Sequence, residues 1–180
     1  MGHVLRLSPS GPPLRGDTGS VAEPGTGFQL RLDEAAGSTV MGELTTEFQP
    51  ITDIGGHPFQ VKLSTPAANK RYKFNSHFEV RSLGSDAVVV SVRAMVSYDG
   101  GSTRQKLREN IWELPGETNV KPGLDVPMTL GSNLFVPVPG GAPEIAITLE
   151  AKRSAVESGG AQIPNGGEGG TIWLSLAELL

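Results

Sequence analysis

The sequence has no cysteine among its 180 residues. Disulfides, thiolate metal centres and cysteine nucleophiles are therefore excluded, and stability must come from packing or from association with other chains. Aromatic residues are sparse at 6%, charged residues amount to 19% and hydrophobic residues to 37%. No apolar run approaches the roughly 20 residues that a membrane-spanning helix needs, so no membrane partner is expected. The net charge of −4 and pI of about 5.4 lack the basic excess of a general nucleic-acid footprint. Residues 1–10 carry no charged-then-apolar export pattern, which sets the expectation of synthesis in a cytoplasm.

What the sequence does have is turn chemistry. Its 24 glycines and 14 prolines make up roughly a fifth of the chain, against an average of about 12%. That composition favours many short strands joined by loops. Residues 1–27 alone contain ten Gly or Pro. The stretch Ser8-Pro9-Ser10-Gly11-Pro12-Pro13 can hold neither a ladder nor a helix, because proline lacks an N–H and glycine is too permissive. Residues 1–27 are therefore expected to form an extended arm, either a free tail or a segment that orders against a partner. Residues 28–180 are expected to form a single domain.

Strand-like alternation starts at Phe28, with Leu30 and Leu32 on the same face. Phe59, Val61 and Leu63 alternate next. Tyr72, Phe74, Phe78 and Val80 then share one face of an extended segment. After a turn at Leu83-Gly84-Ser85-Asp86, Val88, Val90, Val92, Ala94 and Val96 line the most regular strand of the chain. A second turn, Asp99-Gly100-Gly101-Ser102, leads into residues 104–114, where Leu107 and Ile111 are in phase. Leu107, Ile111 and Leu114 also fit helical spacing, but the preceding Gly-Gly turn favours a strand. Residues 72–114 are thus expected to form an antiparallel meander. Short strands follow at 124–130, 134–138, 145–149 and 172–176. Pro137 and Pro139 place the second of these at a sheet edge or interface, since a central strand would lose ladder bonds there. About nine or ten short strands without a helix predict an all-β fold, an antiparallel β-sandwich or jelly roll with an extended N-terminal arm.

Chemical signatures are few. No Gly-x-Ser-x-Gly elbow, P-loop or strand-to-helix Gly-x-Gly-x-x-Gly occurs, so no catalytic residue and no cofactor site is assigned and no enzyme is expected. His3, His57 and His77 form no metal-ligand pair, and Asp53, Asp86, Asp99, Asp125 and Glu168 are too dispersed for a calcium loop, so no metal site is assigned. Glu109 and Glu113, interleaved with Leu107 and Ile111, suit a solvated strand face better than a glycosidase pair. Two small basic clusters, Lys70-Arg71 with Lys73 and Arg104 with Lys106 and Arg108, suit ordinary surface charge or a contact with an acidic partner. Arg15-Gly16-Asp17 matches an integrin-read tripeptide that chance alone supplies often. Trp112 and Trp173 each fall opposite the aliphatic positions of their strands, so they are expected either to face outward as contact residues or to sit on strands buried on both faces, as the doubly apolar Val88 to Val92 run allows. Together with Pro12, Pro13, Leu14 and Arg15 of the arm and Pro137 and Pro139, they form the candidate partner-contact set.

The Gly/Pro-rich arm, the cysteine-free segment 72–114, the Pro-interrupted Leu134-Phe135-Val136-Pro137-Val138-Pro139 and the strand closing the chain at Leu180 resemble the small jelly-roll or tulip-like decoration and head-fibre proteins of tailed phages. The resemblance is architectural and carries no family residue over. It implies a homo-oligomer, with a trimer favoured, made in the host cytoplasm and resident in the virion. Its partners would be the major capsid protein or other virion subunits, which it would bridge or cement by shape and buried area. The alternative is a carbohydrate- or receptor-binding sandwich, such as a tail-fibre or spike head, using Trp112, Trp173 or loop acids. A hydrolase with a composite loop site is the third class.

Overall fold

A computed structural model describes residues 20–23, 27–37, 43–52, 55–68, 70–116, 125–130, 134–154, 159–163 and 172–179, with only the backbone for residues 20–37 and 125. Twelve strands and no helix occur among them: β1 (Ser20–Glu23), β2 (Gly27–Gly37), β3 (Gln49–Pro50), β4 (Gln60–Ser64), β5 (Arg71–Leu83), β6 (Val88–Ser97), β7 (Gln105–Leu114), β8 (Asp125–Met128), β9 (Leu134–Val136), β10 (Glu144–Arg153), β11 (Gly160–Gln162) and β12 (Ile172–Leu179). Strand pairing begins inside the segment expected as an arm, where β1 folds back on β2.

All pairings are antiparallel and fall into two sheets. The first runs β1-β2-β12-β5, with β11 on the same side of β5 as β12 and with β8 and β9 end to end along its other side. The second runs β10-β6-β7, with β3 and β4 end to end on the far side of β10. Counting each end-to-end pair as one line of strand leaves ten, in keeping with the sequence expectation. With β3–β4 and β8–β9 each taken as one line, and apart from the peripheral β1 and β11, the chain changes sheet at every step except the β6–β7 hairpin. The resulting interleaved order is that of a jelly roll.

The alternation in the sequence explains the layering. Tyr72, Phe74, Phe78 and Val80 on β5, and Ile172, Leu174 and Leu176 on β12, point inward from the first sheet. Val88, Val90, Val92 and Ala94 on β6, and Ile145, Ile147 and Leu149 on β10, meet them from the second. Each fully buried Val, Leu, Ile or Phe among them contributes about 1.5–3 kcal/mol.

The expected 72–114 meander is half right. β6 and β7 form the hairpin, but β5 and β6 do not pair; they lie in opposite sheets. The fully buried stripe of each lies on one face, so packing face to face buries both stripes, whereas side-by-side pairing would leave each needing another cover. The turn at 84–87 is the corner that carries the chain across. It is held closely, since a Cβ on Gly116 would collide with the Ser85 carbonyl and one on Gly159 would meet the Asp86 carbonyl oxygen at 2.7 Å.

This corner generates a stability test. Gly116→Ala should destabilise the fold by about 1–3 kcal/mol, because backbone rather than a movable side chain blocks the new methyl. Gly140, which has open space around its Cβ position, is the control. Gly140→Ala should be neutral or stabilising by about 0.4–1 kcal/mol through the unfolded chain. Urea unfolding midpoints measure both, and equal effects would refute the account of the corner.

Candidate functional site

Two large hydrophobic side chains are conspicuously exposed among the described residues, Phe135 at 59% and Ile111 at 65%. Phe135 sits on β9, which pairs β5 through Tyr72↔Val136, Lys73↔Phe135 and Phe74↔Leu134 and has no strand on its other side among the described residues. Strand alternation turns Val136 into the core and Phe135 outward. The chain then leaves the ladder at Pro137, which has no N–H to donate. The result is an open hollow of about 470 Å³ lined by Tyr72, Phe135, Val136, Pro137 and Val138, with Lys70 and Arg71 at its rim.

The hollow is braced from behind. Tyr72 Oη accepts the Ala67 N–H at 2.7 Å, which fixes the ring from the loop before β5. Tyr98 Oη, at the end of β6, donates to the Pro137 carbonyl and ties the second sheet to the segment after β9. Burial pushes the Tyr98 phenol above its ordinary pKa, so it remains a donor at neutral pH. At the rim, Lys70 pairs with Glu178 at 2.7 Å. The hydrogen bond to Glu178 raises the Lys70 pKa and keeps its ammonium charged. The site thus combines an apolar floor with a basic rim, a combination suited to an apolar side chain flanked by acidic residues.

A second concavity lies on the outer face of the second sheet. It is a groove of about 380 Å³ whose lining includes Pro58, Gln60, Lys62, Met95, Glu144 and Thr148. Glu144 is 9% exposed; its Oε2 pairs with Lys62 at 2.7 Å, and its Oε1 has no hydrogen-bond partner among the described residues. Beside the groove, Glu150 is 4% exposed and bridges two arginines, with Arg93 Nη2 and Arg104 Nη1 each 2.7 Å from its carboxylate. Arg104 also donates to Thr148 Oγ1 at 2.6 Å, and Arg93 lies 3.8 Å over the Phe48 ring. This lattice ties β10, β6 and the start of β7 together across the face.

The residues expected to contact partners are scattered. Pro137 and Pro139 directly follow β9 at the sheet edge, as expected, and Pro137 lines the hollow. Trp173 is half-buried on the outer face of β12, in register with His77. Trp112 does not face outward. It turns into the sandwich and meets Phe78 edge-on, with ring centroids 5.9 Å apart at 77°. A bulge causes this reversal: register shifts between Ala94 and Met95 against Arg108 and Lys106, leaving Leu107 as the extra residue. Leu107 and Ile111, in phase by sequence, therefore lie on opposite faces, and Ile111 is the exposed one. The bulge likewise divides the basic cluster of Arg104, Lys106 and Arg108, with Lys106 bound to Glu109 at 2.8 Å and Arg108 to Asn110 at 3.1 Å. Pro12, Pro13, Leu14 and Arg15 lie outside the described residues. Phe135, Tyr72 and Tyr98 were missed. Only the alternation of Leu134, Phe135 and Val136 at a Pro-bounded edge signalled an outward aromatic.

The sequence matches no protein-family model, and no curated protein matches it.

The groove is bounded by the β6–β7 turn, where Gly100 and Gly101 adopt φ of 75° and 92° and Asp99 organises the backbone. Thr103 donates its hydroxyl and its N–H to Asp99, and Ser97 donates its hydroxyl. These bonds, the Thr103 hydroxyl first, hold the carboxyl below its ordinary value of 3.8. A depressed folded pKa stabilises the fold above the unfolded value, and that contribution is lost as pH falls through the folded one. Asp99→Asn should therefore flatten the acid limb of stability below about pH 4, as read by urea midpoints along a pH series. An unchanged limb would show that the turn does not depend on the charge.

Proposed function

We propose that this chain is a non-catalytic structural protein that binds and stabilises a capsid lattice as an oligomeric decoration or cement protein, docking through the hollow at β9. The observation that carries the proposal is Phe135, an aromatic ring 59% exposed on an edge strand. A ring left in water on an edge strand is the kind of anchor that binding surfaces concentrate. The hollow beside it is formed by braced elements, so a partner would find it largely preorganised. The jelly-roll order supports the same proposal, because shell proteins reuse that architecture. In this role the protein acts by buried area and shape, and the rim cations Lys70 and Arg71 would select a partner surface that presents acids.

Purified protein should bind empty shells of the virus that encodes it and raise the temperature at which they disrupt. Phe135→Ser should weaken that binding by about tenfold or more, the scale of a lost anchor, while leaving the thermal melt of the isolated protein nearly unchanged. Failure of any shell to recruit the wild-type chain would overturn the proposal. Binding undiminished in the variant would move the contact elsewhere.

The groove around Glu144 favours a second function, recognition of a carbohydrate or receptor glycan. Gln60, Lys62 and Thr148 would meet sugar hydroxyls, while Met95 and Pro58 would cover an apolar sugar face. A glycan array on the wild-type chain should then give a signal that Glu144→Gln reduces. A blank array would remove this alternative.

A further inference from the structure

We infer that the open edge of β7 is a self-association surface, at which two copies of this chain pair β7 to β7 in antiparallel register about Asn110.

The inference starts from edge lengths. Of the other edges, β1, β3, β4, β8 and β9 are each two to five residues long, and β2 lacks a partner on its β1 side over residues 31–37 among the described residues. β7 runs for ten residues and, among the described residues, is paired on one side only, by β6. A long edge offers a row of backbone donors and acceptors to another strand. Ile111, the most exposed large hydrophobic among the described residues, lies at the middle of this edge.

The side chains identify the occupant as a second copy. Glu113, Ile111 and Glu109 stand on the outer face of β7, and Lys106 joins them beyond the Leu107 bulge. In an antiparallel pair, directly opposed residues share a face, so only some self-registers keep outer faces together. With Ile111 on the two-fold axis, Glu109 would oppose Glu113 twice. With Glu109 on the axis, the two Glu109 carboxylates would meet. With Asn110 on the axis, residues 106–114 of both copies overlap and Glu109 lies opposite the partner's Ile111. Glu113 then faces the bulge and reaches the partner's Lys106. On the inner face, Trp112 lies opposite the partner's Arg108, a cation beside an aromatic ring. Two-fold symmetry makes each of these contacts occur twice. The alternating charges that protect the edge against foreign strands are thus complementary to themselves in one register. The inference does not rest on the shell-binding proposal, which uses the opposite sheet at β9.

Light scattering on the full chain tests the inference. The expected mass is twice 18.9 kDa, falling toward the monomer at high salt. Lys106→Glu alone and Glu113→Lys alone should each weaken association by about tenfold, since an attractive cross-strand pair becomes repulsive twice over. An equimolar mixture of the two variants should recover the wild-type affinity. In the mixed pair, the new carboxylate at position 106 of one copy meets the new ammonium at position 113 of the other, and the unaltered Glu113 of the first meets the unaltered Lys106 of the second. That recovery also shows that the variants are folded. A wild-type monomer or trimer, singles that associate as well as wild type, or a mixture that stays dissociated would each overturn the inference. Shell binding can be measured on the same variants, so the two proposals fail separately.

Discussion

The two sheets of this protein have one apolar face each, and everything else in the structure follows from pressing those faces together. Phe74, Phe78 and Leu174 from one side and Val90, Val92 and Ile147 from the other are fully or almost fully buried. Without disulfides to close the chain, this contact is the main source of cohesion. It also dictates the path of the backbone. A strand that leaves one sheet can bury its stripe by crossing to the other, and the chain does so at nearly every turn. The corner at 84–87 is wedged between Gly116 and Gly159.

The polar half of the molecule is organised by the same alternation. The second sheet turns its charged residues outward, where Glu150 of β10 gathers Arg93 of β6 and Arg104 just before β7. Taking such a carboxylate out of water is costly unless it is fully bonded, and two guanidinium partners supply that bonding. The lattice braces the face from outside as the aliphatic contact does from inside. The first sheet is built differently at its margin: β8 and β9 are short, broken by prolines, and leave Phe135 in water.

The fold class was legible in the sequence because period-two alternation reports one buried face, and it did so at β5, β6, β10 and β12 without error. What alternation cannot report is which sheet a strand joins. The turn at Gly84 reverses the chain whether the next strand pairs or crosses, so the meander over β5 and β6 was a fair local reading with the wrong global partner. The bulge at Leu107 was hidden for a similar reason. One inserted residue changes no composition, yet it moves Trp112 inward and Ile111 outward. The hollow at β9 was half legible: its prolines marked an edge, whereas Tyr72 and Tyr98 reach it from strands roughly 60 and 40 residues earlier in the chain, a non-local pairing that no short window contains. The Glu150 network left no local signal, since its members come from two strands and the turn before a third.

The place of β12 between β2 and β5 has a consequence for how the protein is made. The first sheet lacks a central member until residues 172–179 have been synthesised. Until then β2 and β5 each have an unfilled flank, and the apolar face of the second sheet has an incomplete lid. A ribosome-bound chain therefore cannot close its core progressively from the N-terminus. It must hold its strands open and finish in one late, long-range step, the kind that is slow and exposes sticky intermediates. The emergence of β12 from the ribosome, rather than of any earlier segment, is the event that lets this domain fold.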